Sequence, residues 1–178
     1  MTSPSLTYPF EHPPASGELV NICEGLYWLR MPIPFQLNHI NLWLVEGEES
    51  WTIVDTGIQS DETKEHWESI FKNYLKGKPV DGVVVTHMHP DHVGMAGWLC
   101  ERWQTDLTMT KTEWLYTQIG GDLALKHQDS YAVHYKRLGV DDKVAESLPK
   151  MYSFYSGLMS PLPGSFRRMA QGDRVKIG

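Results

Sequence analysis

The chain has 178 residues, 41% of them apolar and 21% charged, which suits one domain with a hydrophobic core that needs no covalent staple. A net charge of −6 and a pI near 5.7 argue against general affinity for nucleic acid or anionic membrane, and no Lys/Arg run exceeds the pair Arg167-Arg168. No stretch approaches the roughly eighteen consecutive apolar residues of a membrane span, the first residues lack the pattern of a secretory leader, and Cys23 and Cys100 show no C-x-x-C spacing. The two cysteines could pair, but solitary cysteines are more often buried thiols, so the expectation is a cytoplasmic protein with no membrane or nucleic-acid partner.

Residues 1–17 are proline-rich and aperiodic and read as an extended arm. Strand patterns begin at Glu18. The segments ELVNIC and LYWLRM flank Glu24-Gly25 as a hairpin, MPIPF interrupts with two prolines, and HINLWLV (His39 to Val45) and Trp51 to Val54 follow, joined through the polar GEES. Four strands in succession predict an antiparallel meander. The period then changes: in DETKEHWESIFKNYLKGK the residues Trp67, Ile70, Phe71, Tyr74 and Leu75 fall on one face of a helix, with Ser60 or Asp61 as N-cap and Gly77 as stop.

Val80 to Thr86 is a short β-branched run, buried on both faces if it is central. Gly94 to Trp103 predicts a helix, Leu107 to Thr110 a strand and Lys111 to Ile119 another helix, so strands and helices alternate as in an α/β layered domain. Residues 120 to about 150 are polar and helical. MYSFYSGLMSPLPG reads as an aromatic loop, and SFRRMAQGDRVKIG as a strand, a turn at Gly172-Asp173 and the start of a further strand. The division is therefore 1–17 arm, 18–119 main layered unit, 120–163 helical and loop insertion, and 164–178 the start of a second sheet.

The chemistry concentrates in VVVTHMHPDHVG. His87, His89, Asp91 and His92 form H-x-H-x-D-H, and neutral imidazole and carboxylate are the donors that zinc, iron or manganese take from proteins. Alternate residues of an extended backbone project to one side, so His87 and His89 can share one metal. Asp91 and His92, beyond the bend at Pro90, can address a second.

This motif, the strand VDGVVVTHMHPDHVG that carries it, the upstream IVDTG (Ile53 to Gly57) and the preceding PFQLNHINLWLVEGEESWTIVDTG together resemble the metallo-β-lactamase-fold superfamily of metallohydrolases. The resemblance covers about Leu19 to Thr110 and is nearest to the hydroxyacylglutathione-hydrolase-like and lactonase-like branch. It implies an αββα sandwich, of which these residues form the N-terminal half with a helical insertion. It also implies His87 and His89 on the first of one or two zinc ions, with iron or manganese as alternatives, and Asp91 and His92 on the second. A water activated by the metals would attack a small ester, thioester, lactone or amide, with Asp91 as the catalytic group that orients the nucleophile. Asp55 would hold the ligand loop by hydrogen bonds.

The family's remaining ligands, a Gly-His turn, a bridging aspartate and a last histidine, have no counterpart after His92. His127 and His134 lie in the polar helical stretch and fit a solvated face better. QGDRVKIG resembles the hairpin that precedes the Gly-His turn, so the expectation is the N-terminal part of a longer hydrolase. A truncated sheet would expose an edge and an apolar face that invite self-association into a homo-oligomer.

His39, Tyr131 and His134 are the substrate-facing candidates. Tyr135, Tyr152 and Tyr155 either wall a pocket or simply pack, His12 and His66 read as surface, and Trp98 and Trp103 as core. Competing functions are a phosphodiesterase or nuclease of the same superfamily, which the acidic balance disfavours for long nucleic acid, and a catalytically incomplete metal-binding fragment. A flavodiiron-type oxidoreductase lacks a flavin-binding segment here.

Overall fold

The structure, a computed structural model, describes residues 6, 9–119 and 126–177. Among them, seven strands form one sheet in chain order: β1 (Leu19–Cys23), β2 (Leu26–Pro32), β3 (His39–Glu46), β4 (Trp51–Val54), β5 (Val80–Val84), β6 (Leu107–Thr110) and β7 (Arg167–Met169). Connection length sets their direction. The short turns after β1, β2 and β3 return the chain at once, so β1 to β4 are antiparallel. Beyond β4 each connection carries helix and each new strand joins parallel.

Helix α1 (Asp61–Tyr74) crosses from β4 to β5. Ser60 caps it, its hydroxyl accepting from the Thr63 N–H at 3.0 Å, with Asp61 and Glu62 in the positive first turn. It ends where Lys76 and Gly77 turn left-handed, at φ 53° and 82°. The face predicted from its period is the face it buries: Trp67, Ile70, Phe71 and Leu75 join Leu29, Met31, Leu42, Leu44, Ile53, Val83, Leu107 and Met109 of the sheet in one core. Trp67 lies wholly inside and its Nε1–H donates to the Thr56 carbonyl at 2.9 Å, so the indole adds a polar tie to its packing. A four-residue helix, α2 (Pro90–Val93), and α3 (Ala96–Trp103) lead from β5 to β6.

Helix α4 (Lys111–Ile119) follows β6 without a linker. Helices α5 (Gln128–Arg137) and α6 (Asp142–Ser156) then pack on each other. No helix among the described residues is long and apolar enough to cross a membrane.

Several boundaries differ from the sequence-based expectation. Met151 to Ser156 is the end of α6 and not a loop, because Asp141 starts that helix by accepting from the Lys143 and Val144 N–H groups and the helix runs on through Pro149. Residues 167–169 do not begin a second sheet. They pair with β6 (Arg167 beside Thr108, Met169 beside Thr110) and extend the first sheet. The turn at Gly172-Asp173 forms, with the Ala170 N–H donating to the Asp173 carboxylate, but residues 174–177 make no strand. The arm is not free either: Phe10 lies edge-on to Trp28 with ring centroids 6.0 Å apart, and Ser16 bridges to Arg30. His66, expected at the surface, is half-buried against Gly17.

Candidate metal centre

The ends of β4 and β5 lie side by side, since Val54 pairs with Val84, and the ladder continues one step as the Asp55 N–H donates to the Val84 carbonyl at 2.9 Å. There the chain turns sharply. Asp55 takes a left-handed conformation (φ 61°) and Gly57 follows at φ 81°. Asp and Asn tolerate that region better than other side chains, because a short polar group can bond locally. The turn leaves the Asp55 carboxylate almost wholly buried and facing the residues that follow β5.

Asp55 uses both oxygens. Oδ1 accepts from the Thr86 N–H at 2.8 Å, Oδ2 from the Thr86 hydroxyl at 2.8 Å, and Oδ2 also meets His92 Nδ1 at 2.9 Å. A carboxylate only accepts, so the proton of this last bond sits on Nδ1 and the Nε2 atom of neutral His92 keeps its lone pair. Thr56 completes the frame. Its N–H and hydroxyl both donate to the His92 carbonyl, at 2.8 and 2.7 Å, and its hydroxyl accepts from the Met95 N–H. Gly94 permits the approach: a Cβ there would stand 2.4 Å from the Pro90 carbonyl and 2.6 Å from that of Gly57.

His87, His89, Asp91 and His92 are brought together on this frame. Pro90 opens α2 at a position where its missing N–H costs nothing, which puts Asp91 and His92 in the first turn. The rings of His87 and His92 have centroids 3.9 Å apart, and those of His87 and His89 4.7 Å. Burial, then the neighbouring His92 and His89, hold the His87 pKa below its ordinary value despite Asp55 and Asp91, so His87 is neutral near pH 7. Burial also opposes a charge on His92, but the Asp55 hydrogen bond and the charges of Asp55 and Asp91 outweigh it and raise that pKa.

The donors face each other in pairs. His87 Nε2 and His89 Nδ1 face each other at 3.0 Å, and His92 Nε2 and Asp91 Oδ2 stand 3.5 Å apart. Two ligands of one tetrahedral zinc, with bonds of about 2.0–2.1 Å, are separated by about 3.3 Å. Among the described residues, no three His, Cys, Asp or Glu side chains form a group that could hold a metal ion by themselves.

The substrate-facing candidates fare differently. His39 has both ring nitrogens engaged, Nε2 with the Arg30 guanidinium and Nδ1 with Asn38 Oδ1 at 2.8 Å. Arg30 can only donate, so Nε2 accepts and Nδ1 carries the proton. The ring is thus part of a β2–β3 network with Asn41 and Trp28. Tyr131 and His134 lie on α5, where His134 is exposed with its ring against Tyr135. Among the described residues no hydrogen bond or ring contact joins either to the histidine loop. The side chain of Tyr152 lies outside the described residues. Sequence reasoning missed Thr56, Thr86 and Glu113. Thr56 and Thr86 flank predicted site residues, whereas Glu113, whose carboxylate accepts from the Met88 N–H at 2.8 Å, gives no local signal.

Residues 36–146 match the family model described as the metallo-beta-lactamase superfamily. A beta-lactamase domain protein of Burkholderia ambifaria superposes with a TM-score of 0.80 at 44% identity, over 96% of this chain and 50% of that one. A metallo-beta-lactamase family protein of Thermus thermophilus shares the fold at 19% identity, with a TM-score of 0.66 over 88% of this chain and 50% of that one. A protein of Pseudomonas sp. named linear primary-alkylsulfatase is 34% identical over 93 residues, 52% of this chain and 13% of its own length. The chain thus spans half the length of both structures and a small part of the alkylsulfatase. With the family model matched over more than half of its residues, and the mixed sheet and helices of those structures reproduced, the chain belongs to the metallo-beta-lactamase superfamily.

Proposed function

We propose that this chain carries metal donors of a hydrolase acting on a small ester, thioester, lactone or amide. One observation carries the reading: two facing donor pairs, His87 with His89 and Asp91 with His92, on a loop held by the buried Asp55 carboxylate. Zinc fits this donor set, as iron or manganese would. A bound divalent cation supplies Lewis acidity and lowers the pKa of water. The protein's own part is positional. Asp55 accepts the Nδ1 proton of His92, so that the neutral ring presents Nε2, although the same carboxylate raises the His92 pKa and makes a cation compete with a proton there; burial and the neighbouring imidazoles favour the neutral ring of His87. On this reading Asp91 would orient a nucleophilic water and take its proton. Each pair leaves coordination positions to other donors, among them water and substrate.

The 34% identity to the protein named linear primary-alkylsulfatase supports a second reading, hydrolysis of an alkyl sulfate ester. Phe35, between β2 and β3, meets Phe154 of α6 at 6.2 Å between ring centroids, and both are exposed. The β2–β3 connection lies at the same end of the sheet as Asp55 and the histidine loop, because Pro32 pairs with His39 and Trp43 with Val54. That end therefore offers apolar surface to an alkyl or acyl group. The net charge of −6 favours a small substrate over nucleic acid, and the free thiols of Cys23 and Cys100 suit a reducing, cytoplasmic setting.

Metal analysis after loading, with a hydrolysis panel of a p-nitrophenyl ester, a thioester, a lactone and dodecyl sulfate, tests both readings. Metal uptake that is lost in H87A/H89A is expected; a loaded protein that holds no more metal than this variant would sink the proposal. Sulfate release without ester cleavage would select the second reading.

A further inference from the structure

We infer that Glu113 is a positioning residue for the histidine loop, fixing the peptide between His87 and His89 and so the direction of both rings; this rests on the metal-dependent reading above. Thr86 to His89 belongs to neither strand nor helix, so its backbone N–H groups lack ladder partners and must find others. The flanking pair finds carboxylates. The Thr86 N–H donates to Asp55 and the Met88 N–H to Glu113 Oε2, each at 2.8 Å. His87 is thereby held between clamped peptides, by groups reaching it from the turn after β4 and from α4. Hydrogen bonds to an ionised acceptor are shorter and about twice as strong as neutral ones.

Glu113 is itself fixed. Helix α4 starts directly at the end of β6, and the Glu113 N–H donates to the Thr110 hydroxyl at 3.3 Å. The next residue, Trp114, stacks on Phe166 with ring centroids 4.6 Å apart and planes at 14°. A carboxylate in the first turn of a helix is stabilised where it stands by the helix dipole. The clamp therefore joins the loop to the sheet through a short, stiff element, as a metal site needs if its ligands are to be aimed before the ion arrives.

The test is a Co2+ titration of the chain and of E113A and E113Q, read by calorimetry and by the visible d–d bands. Glutamine keeps a carbonyl oxygen for the Met88 N–H and alanine does not. E113A should weaken binding by about tenfold or more and change the bands, and E113Q should restore most of both. Affinity and bands unchanged in E113A would overturn the inference and leave the metal reading standing. If the unsubstituted chain takes up no Co2+, the metal reading falls first and the inference with it. Hydrogen exchange in the metal-free, unsubstituted chain gives a readout that no folding defect can blur. The Met88 amide should be protected, and exchange at the rate of an open loop overturns the clamp.

Discussion

Asp55→Asn isolates the most connected polar side chain of the centre. The backbone is not at issue, since Asn tolerates the left-handed φ of 61° as Asp does, whereas Ala would add about 1–2 kcal/mol of strain. What changes is the acceptor set. The amide oxygen can keep the Thr86 N–H, but the amide nitrogen must replace an oxygen that faces the Thr86 hydroxyl or His92 Nδ1. Facing an N–H donor, His92 relieves the clash by moving its own proton from Nδ1 to Nε2. One charge-assisted bond becomes neutral in a site only 4% exposed, a loss of about 2 kcal/mol. For a chain of this size that lowers Tm by about 4–8 °C. The functional effect is larger, because a proton on Nε2 occupies the lone pair offered towards Asp91 and a cation, and Co2+ affinity should fall about 10- to 100-fold. Calorimetric melting of the metal-free protein and a Co2+ titration read the two effects separately. A D55N protein that melts as before, or binds Co2+ as tightly as before, would refute the assignment of the His92 tautomer to Asp55.

The cysteines should differ in reactivity. Cys100 is buried and its thiol is pushed up to about 12, chiefly by burial, while Cys23 is exposed. Iodoacetamide should add one group to the native protein and two after denaturation; two adducts on the native protein would contradict the packing of α3. Gly97→Ala should destabilise by at least about 1–3 kcal/mol, because the new Cβ would stand 1.9 Å from the Pro161 carbonyl oxygen, and an unchanged urea midpoint would show that the 158–161 segment is not seated on α3. Glu46 carries a pH dependence. Burial opposes its charge, but hydrogen bonds from Lys78 and Tyr27 and the charges of Lys76 and Lys78 outweigh burial and hold its pKa below 4.5. Folding thus favours the ionised form, so this stabilisation is complete above pH 4.5 and disappears as pH falls through the folded pKa. E46Q should flatten the acid limb of the stability curve, and parallel acid limbs for the two proteins would count against the ion-pair cluster.

What could be read from the sequence follows the range of the physics involved. The helical face of α1, the four-strand meander and the donor motif are set by residues within a few positions of one another, and Trp67, Ile70 and Phe71 are buried as their spacing requires. The fate of residues 167–169 was not local. Their strand pattern is real, but the choice between extending the sheet and starting another depended on an open edge of β6, which no spacing in SFRRM reveals. His39 is a related case. Its place on a strand was legible, while the Arg30 and Asn38 side chains that occupy its ring nitrogens come from register and turn geometry. Asp55 and Glu113 make the same contrast inside the centre. Asp55 stands in the turn IVDTG, which carries part of the family resemblance, and it is the resemblance that points to it. Glu113 is one of many helix-start carboxylates until folding brings it 2.8 Å from the Met88 nitrogen. A donor motif can therefore be legible while its aim is not, because aim depends on distant acceptors that hold the backbone between the donors.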